Sequence, residues 1–225
     1  IALRLVGSEM CIRDSRMMTI EGLFGAGDAV GGTPHAFSSG SFTEGRLSAK
    51  AACRYIDDGK GEGIVVSDRR INELKEKVYK PMEHYKIYRN EVVAGDVNPN
   101  YINPRQGLDR LQKLMDEYCG GAGVSYMTNE KLLGIGLKKL KIMEEDLQKL
   151  AASDFHELLR AWELMHRHRT AECVTQHTMF RKETRWPGYY YRGDALKLDD
   201  ENWHVLTVSR RDPDTGEYTL SLIHI

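Results

Sequence analysis

One glycine-rich segment, Thr19 to Arg46, holds the residues of this 225-residue chain that could do chemistry together: Gly27-Asp28, His35 and Ser39-Gly40-Ser41-Phe42. Gly27-Asp28 follows Leu23-Phe24-Gly25-Ala26, a short apolar run that suits the end of a buried strand. An acidic side chain at such a strand end accepts hydrogen bonds from the sugar hydroxyls of a dinucleotide, and the glycine lets the backbone approach the ligand. Gly31, Gly32 and Pro34 then force a loop. A helix opening at Ser41-Phe42 would aim free backbone N–H groups and the positive end of its dipole at an electron-rich ring edge. The N1/C2 carbonyl edge of a reduced flavin is such an edge. Taken alone, Gly27-Asp28 reads as a strand-to-loop turn.

The elements that must position these residues follow from spacing and punctuation. Ser41 or Thr43 is expected to cap a helix with Leu47, Ala51 and Tyr55 on one face, ending at Asp58-Gly59. Ser67 and Asp68 cap a second, through Ile71, Leu74 and Val78, which Pro81 ends or bends. Asn103-Pro104 opens a third that stops at Gly120-Gly121. Thr128 starts a fourth, with Leu132, Leu133, Ile135, Leu137, Leu140 and Met143 on its apolar side. A fifth runs from Phe155 to about Arg181, carrying Leu158, Leu159, Trp162, Met165 and Cys173 at helical spacing. Together they read as a helical bundle. After Pro187-Gly188 the pattern changes: Trp203 to Val208 alternates as a strand, Asp212 to Gly216 is a turn, and Glu217 to Leu220 is the returning strand.

Several residues carry a resemblance. Thr19, Gly22-Leu23-Phe24 and Gly27-Asp28 resemble the second FAD fingerprint of the succinate dehydrogenase/fumarate reductase flavoprotein superfamily, with His35 where those enzymes carry a histidine. Arg192, Asp194 and Asp199-Asp200-Glu201-Asn202-Trp203 look like that superfamily's C-terminal region. Within it, AGDAVGGTPHAFSSGSFTEGR and ETRWPGYYYRGD are similar to the dissimilatory adenylylsulfate reductase alpha-subunit family, from about Thr19 to Leu220. The dicarboxylate enzymes follow their histidine with an arginine in a HxxxR arrangement. Here Ala36-Phe37-Ser38-Ser39 supplies no cation, which argues against a dicarboxylate substrate.

The resemblance implies an FAD enzyme, part of the catalytic subunit that interconverts adenosine 5′-phosphosulfate with sulfite and AMP through flavin N5. Gly27 and Asp28 would bind FAD, Ser39, Gly40, Ser41 and Phe42 would line its pyrimidine end, and His35 would polarise the sulfo group. It also implies a beta subunit carrying two [4Fe–4S] clusters. The fold class expected is an α/β fragment of an FAD-binding domain, then a mainly α-helical bundle domain and a short C-terminal β-hairpin. The boundaries read as 1–16, a non-native segment; 17–62, the FAD-domain piece; 63–183, the helical domain; 184–220, the loop and hairpin; and 221–225, a non-native tail. LVGSEMCIRDS in the first of these resembles translated sequencing-adapter read-through, and Glu9, Arg13 and Asp14 interrupt any signal-peptide apolar core. No GxGxxG strand–helix unit for the pyrophosphate is present. The chain is therefore expected to be a C-terminal fragment that neither holds FAD tightly nor turns over by itself.

Composition sets outer bounds. With 41% hydrophobic and 29% charged residues and a formal net charge of -1, no strong field for nucleic acid or an anionic membrane is expected. No apolar run is long enough to span a bilayer. Cys11, Cys53, Cys119 and Cys173 are scattered, which suits a reducing cytoplasm and cannot supply a cluster's thiolates, so any iron–sulfur centre belongs to a partner. His166-Arg167-His168-Arg169, Cys173 and His177 form no closed metal-ligand set and read as a solvated helix face. Arg192-Gly193-Asp194 reads as a coincidental adhesion tripeptide, and Trp186, Tyr189, Tyr190 and Tyr191 as a packed corner or subunit contact. Two alternatives remain: another flavoprotein of the superfamily, such as a fumarate reductase or aspartate oxidase, or a helical partner-binding module with no chemistry of its own.

Overall fold

In chain order the elements are α1 (Phe37–Asp57), α2 (Asp68–Tyr88), α3 (Pro104–Tyr118), β1 (Met127–Thr128), α4 (Glu130–Leu147), α5 (Phe155–Phe180), β2 (Tyr191–Arg192), α6 (Asp200–Trp203), β3 (Val205–Arg211) and β4 (Tyr218–His224). The structure is a computed structural model that describes residues 16–18, 20–27, 37–60, 65–93, 98–185, 190–212 and 214–224. Two compact units divide the chain, Ile1–Val66 with Val208–Ser221 and Ser67–Thr207 with Leu222–Ile225. The described residues are mostly helical, with a two-stranded parallel pair, β1–β2, and a C-terminal antiparallel hairpin, β3–β4. Of the expected FAD-domain piece, the described residues contain α1 and one isolated antiparallel bridge, Met17–Phe24.

The core of the second unit is built by α3, α4 and α5. Leu111, Leu114, Leu140, Met143, Leu147, Leu150, Ala161, Leu164 and Ala171 form one buried cluster. Each large side chain in it contributes roughly 1.5–3 kcal/mol by leaving water. Each helix begins where a side chain can take up its free N–H groups. Asn103 and Gln106 form a reciprocal capping box on α3, Asn129 accepts from Leu132 N on α4, and Asp154 accepts from Glu157 N on α5. Gly107 brings α3 close to α5, because a Cβ there would stand 2.4 Å from Leu164 Cδ2.

Four sequence expectations change here. Thr128 does not start α4: it sits in β1, its hydroxyl donates to Tyr118 O at 2.7 Å, and Asn129 provides the cap. The buried stripe of α5 is Leu158, Ala161, Leu164, His168, Ala171 and Thr175, whereas Leu159 is 55% exposed. His168 is therefore a core residue and not part of a solvated face. It is 2% exposed, and its Nε2 lies 2.8 Å from the Leu140 carbonyl, an acceptor available only inside the bundle. Finally, Trp203 closes the short α6, so β3 starts at Val205, and β4 runs on through Ser221 to His224, residues the sequence reading had set aside.

α2 runs through Pro81 to Tyr88 although proline leaves one intrahelical bond unmade. Tertiary contacts hold it there. Pro81 is buried and its carbonyl accepts Ala152 N at 3.0 Å, while Trp162 Nε1 donates to Val78 O at 3.0 Å. The turns before Pro81, from Asp68 to Lys80, are exposed on every face.

The C-terminal part of this unit is tied to the bundle by buried charge. Arg192, fully buried, donates to the carbonyls of Thr178 (2.5 Å), Met179 (3.2 Å) and Arg181 (2.7 Å) at the end of α5. It also grips Asp194 through two bonds of 2.9 Å, and Asp194 in turn accepts Glu130 N at the start of α4. The cation thus meets a helix C-terminus and the anion a helix N-terminus, each the favourable sense of the dipole. The hydrogen bonds from Arg192 hold the Asp194 carboxyl well below the usual carboxylate range. Glu183, 1% exposed, pairs with Arg181 and Arg185 and accepts Asp199 N. His177 Nδ1 lies 2.9 Å from Thr207 Oγ1 on β3, and burial, reinforced by the Arg181 charge, pushes its pKa down.

Two outcomes are expected. Arg192→Met leaves Asp194 and the last carbonyls of α5 without their cation and lowers unfolding free energy by about 3–5 kcal/mol, read from a denaturant midpoint. A neutral result would mean water replaces the guanidinium there. For His177, a folded pKa below its ordinary 6.5 means its contribution is complete above that pH and is lost as pH falls below it. The urea midpoint should drop between roughly pH 7 and pH 5, and His177→Asn should remove part of that slope.

Candidate functional site

The site residues named from sequence lie in the first unit. Asp28 and His35 lie outside the described residues, as do Thr19 and the loop glycines Gly31 and Gly32. Gly27, Ser39, Gly40, Ser41 and Phe42 are described, and the structure brings two of them together. Residues 16–18 and 20–25 pair with one another, Met18 N donating to Leu23 O (2.7 Å) and Gly25 N to Arg16 O (3.0 Å). Just beyond them Gly27 is buried with φ +65, a left-handed conformation that glycine adopts without steric cost. A Cβ at Gly27 would stand 3.0 Å from Ser41 Oγ and 3.4 Å from Ser41 Cβ.

α1 opens at Phe37 and not at Ser41, so Ser41 and Thr43 are interior residues and not caps. More than a turn inside the helix, the N–H groups a cap would satisfy are already bonded to carbonyls of the preceding turn, so neither hydroxyl has a capping role there. Thr43 instead donates its hydroxyl back to Ser39 O at 2.9 Å. The helix ends where expected, with Gly59 at φ +69 just beyond Asp57. Its first turn carries no acidic residue, Ser39 is exposed, Gly40 is buried, and Phe42 is 81% exposed. A helix start of this kind presents backbone donors, a positive dipole end and an aromatic ring to a planar, electron-rich ligand.

Sequence reasoning missed the groups that dock α1 on this segment. Glu44, 4% exposed, meets Arg16 through Nε at 2.7 Å and Nη2 at 2.9 Å. Arg16 had been placed in the segment read as foreign. Farther along, Phe24 packs edge-on against Tyr55 with ring centroids 5.9 Å apart, and the Tyr55 hydroxyl donates to Glu21 at 3.2 Å. Glu44 lies at helical spacing from Ser41 and Tyr55, a signal that could have marked it as inward-facing.

In the second unit a cleft of about 400 Å³ lies between α3 and α5, lined by residues that include Arg105, His156, Arg160, Glu163 and Arg167. Arg160 is paired with Glu163 at 2.6 Å, and the described residues hold no cluster of His, Cys, Asp or Glu able to bind a metal ion. No described helix is long and apolar enough to cross a membrane.

Residues 108–224, just over half of the chain, match the family described as fumarate reductase flavoprotein C-term. The chain belongs to that family. Among its relatives, the adenylylsulfate reductase subunit alpha of Megalodesulfovibrio gigas is 44% identical over 202 residues, covering 88% of this chain and 30% of that protein. The adenylylsulfate reductase of the hyperthermophile Archaeoglobus fulgidus superposes with a TM-score of 0.87 at 52% identity, covering 93% of this chain and 33% of that one. A structure of adenosine-5-phosphosulfate reductase in complex with sulfite, as a covalent adduct, gives a TM-score of 0.87 at 51% identity over the same shares. The chain therefore spans about a third of the length of the reductase chains it matches. The family match begins within α3 and covers the bundle, the Arg192–Asp194 junction and the hairpin.

Gly27→Ala tests the contact between Gly27 and α1. It imposes a left-handed alanine and presses a methyl on Ser41, and is expected to cost about 1–3 kcal/mol. Limited proteolysis of residues 16–60 reads this directly. Unaltered protection would mean that the segment adapts without loss.

Proposed function

We propose that this chain is the C-terminal part of the FAD-containing catalytic subunit of an adenylylsulfate reductase, interconverting adenosine 5′-phosphosulfate with sulfite plus AMP. The observation that carries the reading is the 51–52% identity to two such reductases, maintained across 93% of the chain. The missing arginine after His35 supports it against a dicarboxylate enzyme. The described residues are compatible with FAD: a buried left-handed glycine beside α1, a helix start free of acidic side chains, and an exposed Phe42 ring.

Bound FAD would supply the two-electron chemistry that the reduction of adenosine 5′-phosphosulfate requires. Around it, Gly27 would allow the backbone to lie against the cofactor and Asp28 would accept hydrogen bonds from its hydroxyls. Ser39, Gly40, Ser41 and Phe42 would line the pyrimidine edge, and the free N–H groups of the first turn of α1, which opens at Phe37, would favour negative charge there. His35 would donate a charge-assisted hydrogen bond to the sulfo oxygens as charge develops on them. Electrons would be exchanged with a beta subunit carrying [4Fe–4S] clusters, in the cytoplasm. Described cysteines 53, 119 and 173 fall in separate places, on α1, after α3 and on α5.

The test uses the full-length subunit with its iron–sulfur partner, following sulfite- and AMP-dependent reduction of an artificial electron acceptor. His35→Ala should lower turnover by roughly 10²–10³-fold while FAD stays stoichiometric. A full-length protein without flavin, or one that reduces fumarate and ignores sulfite plus AMP, would end this reading. Unchanged turnover in the variant would remove His35 alone.

A further inference from the structure

We infer that Arg16 and Glu44 are a positioning pair: they fix the height of α1 against the Gly27 segment and so set how strongly the flavin is held in its reduced form. The inference rests on the FAD site proposed above, and concerns residues that site does not include.

Three contacts between α1 and the described residues of this segment bear on the position of the helix. Tyr55 meets Phe24 and Glu21 near the C-terminal end of the helix, Glu44 meets Arg16, and Ser41 lies against Gly27. The first lies far from the helix start, and its hydrogen bond is exposed to solvent. The last is a van der Waals contact with no directional hold. The middle one is different in kind. Both carboxylate oxygens of Glu44 meet Arg16, at 2.7 and 2.9 Å, with side chains 5% and 10% exposed. One hydrogen bond, from Nη2 to Oε1, together with the charge contact of Nε on Oε2, gives this attachment a buried directional hold that the other two lack.

Burying such a pair gains little stability over two apolar side chains of similar volume. What it adds here is register. An apolar contact would let the helix slide, and a slip of one residue moves it about 1.5 Å along its axis. A slip of that size would change how Ser41 sits on the Gly27 segment, where a Cβ at Gly27 would stand 3.0 Å from Ser41 Oγ. Glu44 is two turns from the helix start, so it acts through the backbone and not by touching the ligand. Because the field of a helix end falls off within its first turn, a displacement of this size changes what a ring edge there experiences.

The experiment uses the full-length, flavin-loaded subunit and three readouts: melting temperature, sulfite affinity of the oxidised flavin, and its two-electron potential. Arg16→Met/Glu44→Leu should keep the melting temperature within a few degrees. It should bind sulfite about tenfold more weakly and favour the reduced flavin tenfold less, a drop of about 30 mV. The charge exchange Arg16→Glu/Glu44→Arg rebuilds a neutral pair and should recover most of both losses. Wild-type affinity and potential in the folded double variant would overturn the inference and leave the FAD site intact. Failure of the charge exchange to restore either property would also overturn it. A wild-type subunit that binds no FAD would remove the site reading itself, and this inference with it.

Discussion

A guanidinium with no access to water must find acceptors for all its donors, and that requirement organises the second unit. Arg192 meets it with three carbonyls from the end of α5 and both oxygens of Asp194. Because Asp194 also takes an N–H from the first residue of α4, two residues of sequence separation connect the end of one helix to the beginning of another. The short parallel pair β1–β2, with Thr128 opposite Arg192, lies at the same junction. The Glu183 cluster lies between α5 and β2 in the chain and carries the path through Arg181 to Trp203 O and Val205 O, the start of the hairpin. Apolar burial sets how stable the bundle is, and this polar junction sets how its C-terminal third is aimed.

Much of the bundle was legible in the sequence because local chemistry decided it. Ser67, Asn103 and Gly120 end or begin helices through their own side chain or backbone freedom, and each does so where the spacing predicts. The failures occurred where distant groups decided. Pro81 is expected to end or bend its helix, and the helix goes on past it to Tyr88, with Trp162 and Ala152 bonded to Val78 O and Pro81 O from another part of the chain. Thr128 has the composition of a cap, yet pairing with residue 192 takes it into a strand. His168 sits in a charged run whose neighbours face water, and its burial depends on the carbonyl of Leu140, 28 residues away.

The candidate site was read with a different balance. Gly27 is named from sequence because a glycine lets the backbone approach a ligand, and the structure gives it a positive φ. Its neighbour Ser41 was picked as a cap and is instead the surface on which Gly27 rests. Asp28 and His35 remain assigned by resemblance, outside the described residues. The spacing of Glu44 marks its face of α1, but its partner Arg16 lies 28 residues away and nothing local links the two charges. Resemblance carried the functional reading, and the structure adds the part that resemblance cannot express, which is what holds the pieces in register.

The exposed turns of α2 have a consequence for how this unit breathes. Thirteen residues of helix, Asp68 to Lys80, stand in water with Pro81 as the buried residue at their base. An isolated helix of that length is marginal, so its amides are protected from solvent deuterium mainly by local hydrogen bonds and by tertiary contacts gathered near Pro81, among them those of Val78, Tyr79 and Lys80. Fraying from Ser67 toward the proline exposes no core residue and leaves the bundle intact. Proline marks the boundary: before it, hydrogen exchange proceeds by partial opening at low cost, and in the cluster around Leu140 it waits for the bundle itself to come apart.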